Sequence, residues 1–216
     1  MTDKVFDLEV VNRLLSTTRS VRKRLDLERP VPRQILLDCI DLSQQAPNGE
    51  NAQRWRWIIV DEPELKREIA KVYQRGLSSV ERLGTRAETD VERRMYASVA
   101  WLVERLAQVP ALVFPCFLVR PPLEFTPWHH GTAYASILPA VWSFQLALRS
   151  RGLGSTLTTM HLRWEADISR VLGVPDSVLQ VAMLPVAFTR GTEFKPVKRP
   201  DVCEIVSLNG WGFSSD

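Results

Sequence analysis

Two apolar runs do most to limit what this chain can become. Residues 111–119 and 178–188 are its longest apolar stretches, and each carries a proline, Pro115 and Pro185. Both are too short to span a bilayer, which takes about 20 apolar residues as a helix. They read instead as buried strands, rich in branched and aromatic side chains. Proline cannot donate to a strand ladder, so Pro115 predicts an edge position or a bulge, and Pro185 a second irregularity. Trp55–Val60 is a third predicted strand.

Around these strands the spacing is helical. Phe6, Val10 and Leu14, with Val11 and Leu15, predict a helix over residues 5–15. Pro32 opens a second helix with Ile35, Leu36, Cys39, Ile40 and Leu42 on one face. It ends before Ala46-Pro47-Asn48-Gly49, where the residue before proline disfavours helix and Asn-Gly favours a turn. Pro63 starts a third helix, carrying Leu65, Ile69 and Val72. Residues 76–88 read as a mobile polar loop, and 87–108 as a longer helix. Residues 121–132, with three prolines, Phe125 and Trp128, read as an ordered loop; simple packing is the more frequent explanation for its two aromatics, and stacking over a pocket is the alternative.

A bulky helix is predicted over 133–151, with Ile137, Val141, Phe144 and Leu148 in register and Pro139 in its first turns or at a kink. Gly152-Leu153-Gly154 ends it as glycine C-caps do. An extended run over 155–160, a short helix over 164–172 and a last strand over 202–208 complete the chain. Strands and helices alternate without the rhythm of a doubly wound sheet. The expected class is α+β: one domain spanning residues 1–216, with a small mixed or antiparallel sheet flanked by helices.

At 216 residues such a domain can bury a sizeable core. A net charge of +3 is too small to argue for a nucleic-acid or membrane partner. The first residues lack the apolar segment of a signal peptide, so a cytoplasmic location is expected. Cys39, Cys116 and Cys203 are odd in number and far apart, and His129, His130 and His161 form no HExxH pattern, so neither disulfide nor metal is expected.

The chemistry lies in the loops. Thr18-Arg19-Ser20-Val21-Arg22-Lys23-Arg24 packs four cations and two hydroxyls into seven residues. The arginine fork matches a phosphate, while a solvated basic turn is the competing explanation. Three other loops close apolar elements in the same way: 47–51, 154–160 and Lys198-Arg199.

In this order and spacing the four segments resemble the FMN-dependent nitroreductase family along nearly the whole chain. Thr18-Arg19-Ser20-Val21-Arg22 matches its R-[RHT]-S-[IV]-[RK] motif. Pro47-Asn48-Gly49-Glu50-Asn51-Ala52-Gln53-Arg54-Trp55 matches its P-S-x-x-N-x-Q-P-W loop. Gly152-Leu153-Gly154 matches its G-[LI]-G helix end, and Val197-Lys198-Arg199-Pro200 its basic tail. Thr18, Asn48 and Arg54 depart from the usual arginine, serine and proline.

The resemblance implies a homodimer with FMN at the subunit interface and the C-terminal strand exchanged between subunits. It implies that Thr18, Arg19, Ser20 and Arg22 hold the ribityl chain and phosphate, joined by Lys198 or Arg199. Pro47, Asn48, Gly49 and Asn51 would approach from the partner. Leu157, Thr158, Thr159 and Met160 would pass the isoalloxazine, with a backbone N–H of Thr159 or Met160 near N5. The implied activity is NAD(P)H-dependent reduction of a flat, electron-poor substrate such as a nitroaromatic or quinone. Enone reduction, reductive dehalogenation and a non-turnover flavin sensor are the alternatives. No catalytic side chain is expected, because the cofactor carries the chemistry and no Ser/His/Asp arrangement stands out.

Overall fold

The computed structural model describes residues 5–118 and 126–212. They fall into two compact units: residues 18–192, and a terminal unit made of residues up to 17 and from 193 onward. In chain order, α1 (Leu8–Thr17) belongs to the terminal unit. The larger unit runs α2 (Arg33–Ser43), β1 (Trp55–Val60), α3 (Pro63–Gln74), α4 (Leu77–Thr85), α5 (Asp90–Arg105), β2 (Ala111–Phe117), α6 (Pro127–Ser150), β3 (Leu153–Ser155), α7 (Glu165–Leu172), β4 (Leu179–Gln180) and β5 (Leu184–Phe188). The short α8 (Val202–Ile205) lies in the terminal unit.

The sheet has the order β1-β2-β5-β3, with β4 also beside β2, and every ladder is antiparallel. β2 is buried throughout and is the axis of the sheet. Pro115 therefore does not lie on an edge strand, as the sequence allowed. It sits where β2 changes partner, from β5 at residues 111–113 to β4 at 116–117. Its carbonyl accepts from Val181 N–H on that side, 3.0 Å away. The N–H and C=O of an extended residue point the same way, so the donor that proline lacks falls at the gap. The same gap divides the single strand expected over 179–188 into β4 and β5.

α6 supplies the core against this sheet. Ile137, Val141, Phe144 and Leu148, the predicted face, are all buried, and Phe144 packs against Trp57 with ring centroids 5.2 Å apart. Gln145, also buried, donates to Ser155 Oγ at 3.0 Å and ties the helix to β3. Gly152 adopts φ 76° and stops the helix as expected. Among the described residues no helix is long and apolar enough to cross a membrane.

Several boundaries differ from expectation for local reasons. α1 starts at Leu8 because the Asp7 carboxylate accepts from Glu9 and Val10 N–H. The expected loop at 76–88 holds α4, since Leu77, Val80 and Leu83 recur at helical spacing and Val80 is buried. α5 begins after Thr89, which forms a reciprocal capping box with Glu92. α6 begins at Pro127, a favoured first helical residue, so Trp128 and Thr132 are helical and Pro139 lies well inside. Phe125 and the rest of 119–125 lie outside the described residues. Residues 202–205, expected to open a strand over 202–208, form instead the capped turn α8, closed by Asp201 and Glu204.

Candidate functional site

The basic stretch is laced to the edge of the sheet. Ser20 bridges Ser155 in parallel, Val21 N–H donates to Ser155 O at 2.9 Å, and Asp26 N–H donates to Phe188 O at 2.8 Å. This works because Gly154 has no side chain. A Cβ there would stand 2.9 Å from Val21 Cβ and 2.7 Å from Thr189 Cγ2.

The four cations then separate by role. Arg24 is structural: its guanidinium donates to the carbonyls of Arg190 and Gly191 at 3.0 and 2.8 Å. Arg19 and Lys23 are exposed, as is Ser20, while Thr18 is half-buried. Arg22 is half-buried and makes one long donation to Ser98 Oγ at 3.5 Å. Burial pulls its pKa down, partly offset by the Tyr73 oxygen. A partly desolvated guanidinium with no carboxylate paired to it among the described residues fits a ligand phosphate.

The third predicted segment follows β3 directly. Thr158 exchanges backbone hydrogen bonds with Met183, at 3.0 and 2.9 Å, and its hydroxyl lies 2.7 Å from Tyr73 Oη. Leu157 and Thr159 are exposed, and the Met160 side chain lies on Gly76. Among the described residues, the backbone N–H groups of Thr159 and Met160 carry no intrachain acceptor. They are donors placed one step beyond a fixed residue. Ser20–Arg22 and Leu157–Met160 thus share one edge of the sheet, with the buried Tyr73 hydroxyl held against Thr158.

The loop at 47–51 belongs to a different surface. Pro47 is exposed, and Gly49 N–H donates to the buried Ser136 Oγ on α6 at 3.1 Å. Glu50, Asn51 and Gln53 hold φ of 57°, 52° and 51°, a left-handed run that non-glycine residues enter only at a cost of about 1–3 kcal/mol each. Asn48 braces it, its Oδ1 accepting from Gln53 N–H at 3.0 Å. Asn48, Gly49 and Arg54 line a cavity of about 170 Å³ with Phe117, Trp128 and His129. Trp128, 70% exposed, therefore borders a cavity, from a helix rather than a loop. Lys198 and Arg199 lie in the terminal unit, exposed, just before the Asp201 cap.

Tyr73, Ser98 and Ser136 carry polar contacts that the sequence pattern did not single out. Tyr73 follows Ile69 by four residues and reads as one more core position. No sequence signal marks the two serines. The two buried cysteines offer no nucleophile: burial pushes Cys116 up to about 12 and raises Cys39 as well.

His161 is fully buried against the Phe114 ring, and neither ring nitrogen has a partner. Burial lowers its pKa to about 4 against an ordinary 6.5, with Glu165 opposing. Between those values the unfolded chain binds a proton that the folded chain refuses. Stability is present above pH 6.5 and is lost as pH falls toward 4, by about 3 kcal/mol in all. Urea unfolding across this window should show that slope, and His161→Gln should flatten it.

A family model described as the nitroreductase family matches residues 15–188. Iodotyrosine deiodinase 1 of Rattus norvegicus is 26% identical over 206 residues, covering 89% of this chain and 67% of that protein. The iodotyrosine deiodinase of Thermotoga neapolitana is 26% identical over 176 residues, covering 81% of this chain and 86% of the other. Among solved structures, an oxidised iodotyrosine deiodinase bound to FMN and 3-iodo-L-tyrosine superposes with a TM-score of 0.72 at 23% identity, over 93% of this chain and all of that one. An FMN-dependent nitroreductase from Mycobacterium smegmatis in complex with NADPH gives 0.69 at 14% identity, over 94% and 100%. The family match covers the whole sheet and three of the four predicted segments, and this chain belongs to the nitroreductase family.

Proposed function

We propose that this chain is an FMN-dependent oxidoreductase that uses NAD(P)H to reduce a flat, electron-poor ring compound, a nitroaromatic or quinone, in a cytoplasmic setting. The observation that carries the reading is Arg22, a half-buried guanidinium paired with no carboxylate among the described residues, on the same sheet edge as a segment with two open N–H donors. When bound, FMN supplies a ring position that takes hydride from a nicotinamide and passes electrons onward.

The chain's own residues bind and orient. Arg19, Ser20 and Arg22, with Thr18, hold the phosphate and ribityl tail, and Lys198 or Arg199 adds a cation. Leu157–Met160 lie along the ring, the Thr159 or Met160 N–H donating at its N5 edge. Pro47, Asn48, Gly49 and Asn51 close the equivalent site of a partner subunit, which makes the working unit a homodimer. Reductive dehalogenation of an aromatic ring is the second reading, favoured by the iodotyrosine deiodinases among the relatives.

The purified protein should be yellow, run in light scattering at twice the 24.6 kDa chain mass, and bleach anaerobically with NADH or NADPH. Initial rates against nicotinamide and a quinone should give parallel lines, because both substrates use one pocket in turn. Intersecting lines would count against that pocket, and a flavin that neither nicotinamide reduces would overturn the activity. Oxidation of the dithionite-reduced protein by 3-iodo-L-tyrosine but not by the quinone would select the second reading.

A further inference from the structure

We propose that Tyr73 is a positioning residue of this site, its hydroxyl fixing Thr158 in the ring-facing segment. The proposal rests on the FMN reading above.

Tyr73 projects from the end of α3 and is 1% exposed. Its Oη lies 2.7 Å from Thr158 Oγ1. Burial raises the phenol's pKa, with the Thr158 hydrogen bond and the Arg22 charge opposing, so the group stays a neutral hydroxyl able to keep that bond near neutral pH.

The same helix end governs both sides of the segment. Tyr73 fixes the side chain of Thr158, whose backbone is already held by Met183. Gly76, immediately after α3, receives the side chain of Met160. Thr159, with its open N–H, is suspended between two anchored residues. From α5, Ser98 accepts from Arg22 at 3.5 Å and donates to Met95 O at 2.7 Å. A shift of α3 would move the ring-facing donors.

The test is a double-mutant cycle on apo protein, titrated with FMN and with riboflavin, using Tyr73→Phe, Thr158→Val and the pair. Each keeps its side-chain shape and removes one hydroxyl. Each single variant should weaken FMN about tenfold, and the pair should be little worse than either alone, because both lose one bond. Tyr73→Phe should also shift the visible absorption and the reduction midpoint of bound FMN, which a purely packing role would leave alone. Wild-type affinity and spectrum in Tyr73→Phe, or additive losses in the pair, would overturn the role. If Tyr73→Phe does not fold, Thr158→Val carries the same expectation and the same refutation. A wild-type protein that binds neither flavin would instead overturn the cofactor reading, and this proposal with it.

Discussion

Arg22→Ala should lose FMN affinity about ten- to a hundredfold while leaving riboflavin affinity nearly unchanged. A hydrogen bond to a charged group contributes roughly 1.5–3 kcal/mol, which converts to that range. The two ligands share a ring and differ by the phosphate, so the comparison isolates the contact. Burial has already removed much of the guanidinium's water, and its polar contact within the chain is a 3.5 Å donation to Ser98. An anion arriving there meets a donor with little to give up. Raising salt should weaken wild-type binding more than the variant's, since screening acts on the charge pair. Flavin fluorescence on titration of apo protein reads both affinities. Equal losses for FMN and riboflavin would mean that Arg22 holds the fold or the ring.

Gly154→Ala should cost about 1–3 kcal/mol of stability, the usual penalty for forcing a methyl group into filled space. The added Cβ would meet the Val21 and Thr189 side chains at 2.7–3.0 Å, where the nearest atoms lie close to the backbone and cannot swing away. The strain falls on the contact that clamps residues 20–21 to β3, so FMN affinity should drop with stability. Gly152→Ala makes a useful comparison. It meets nothing within 4 Å but holds φ 76°, so its cost comes from backbone strain, away from the clamp. Urea midpoints paired with FMN titrations separate the two. A Gly154→Ala protein with wild-type stability and affinity would show that the close approach does not hold the basic stretch.

The strands and the core face of α6 were legible because burial acts through period: two residues for strands, 3.6 for helices. Pro115 was half legible. Its missing donor forces an interruption in a ladder, but sequence does not say whether an edge or a change of partner supplies it. α4 was hidden because a polar composition outweighed three apolar residues at helical spacing. The tail was misread for the opposite reason: Val202, Ile205 and Val206 favour a strand, whereas the Asp201–Glu204 capping box satisfies the free N–H groups of a helical turn. At the site, residues that follow a motif were found. Tyr73 was not, because a tyrosine in register with a core face looks like packing until its hydroxyl is seen against Thr158.

The strand order also dictates when the sheet can be finished. β5 is the last of the five strands in sequence, yet it lies between β2 and β3. Until residue 188 has been synthesised, β2 presents one side of an entirely apolar strand, and β3 waits beyond an empty slot. A nascent or truncated chain ending before β5 would carry that open edge, the form of exposed surface that invites pairing with another copy. Completion from the C-terminal side makes this a sheet whose centre closes last.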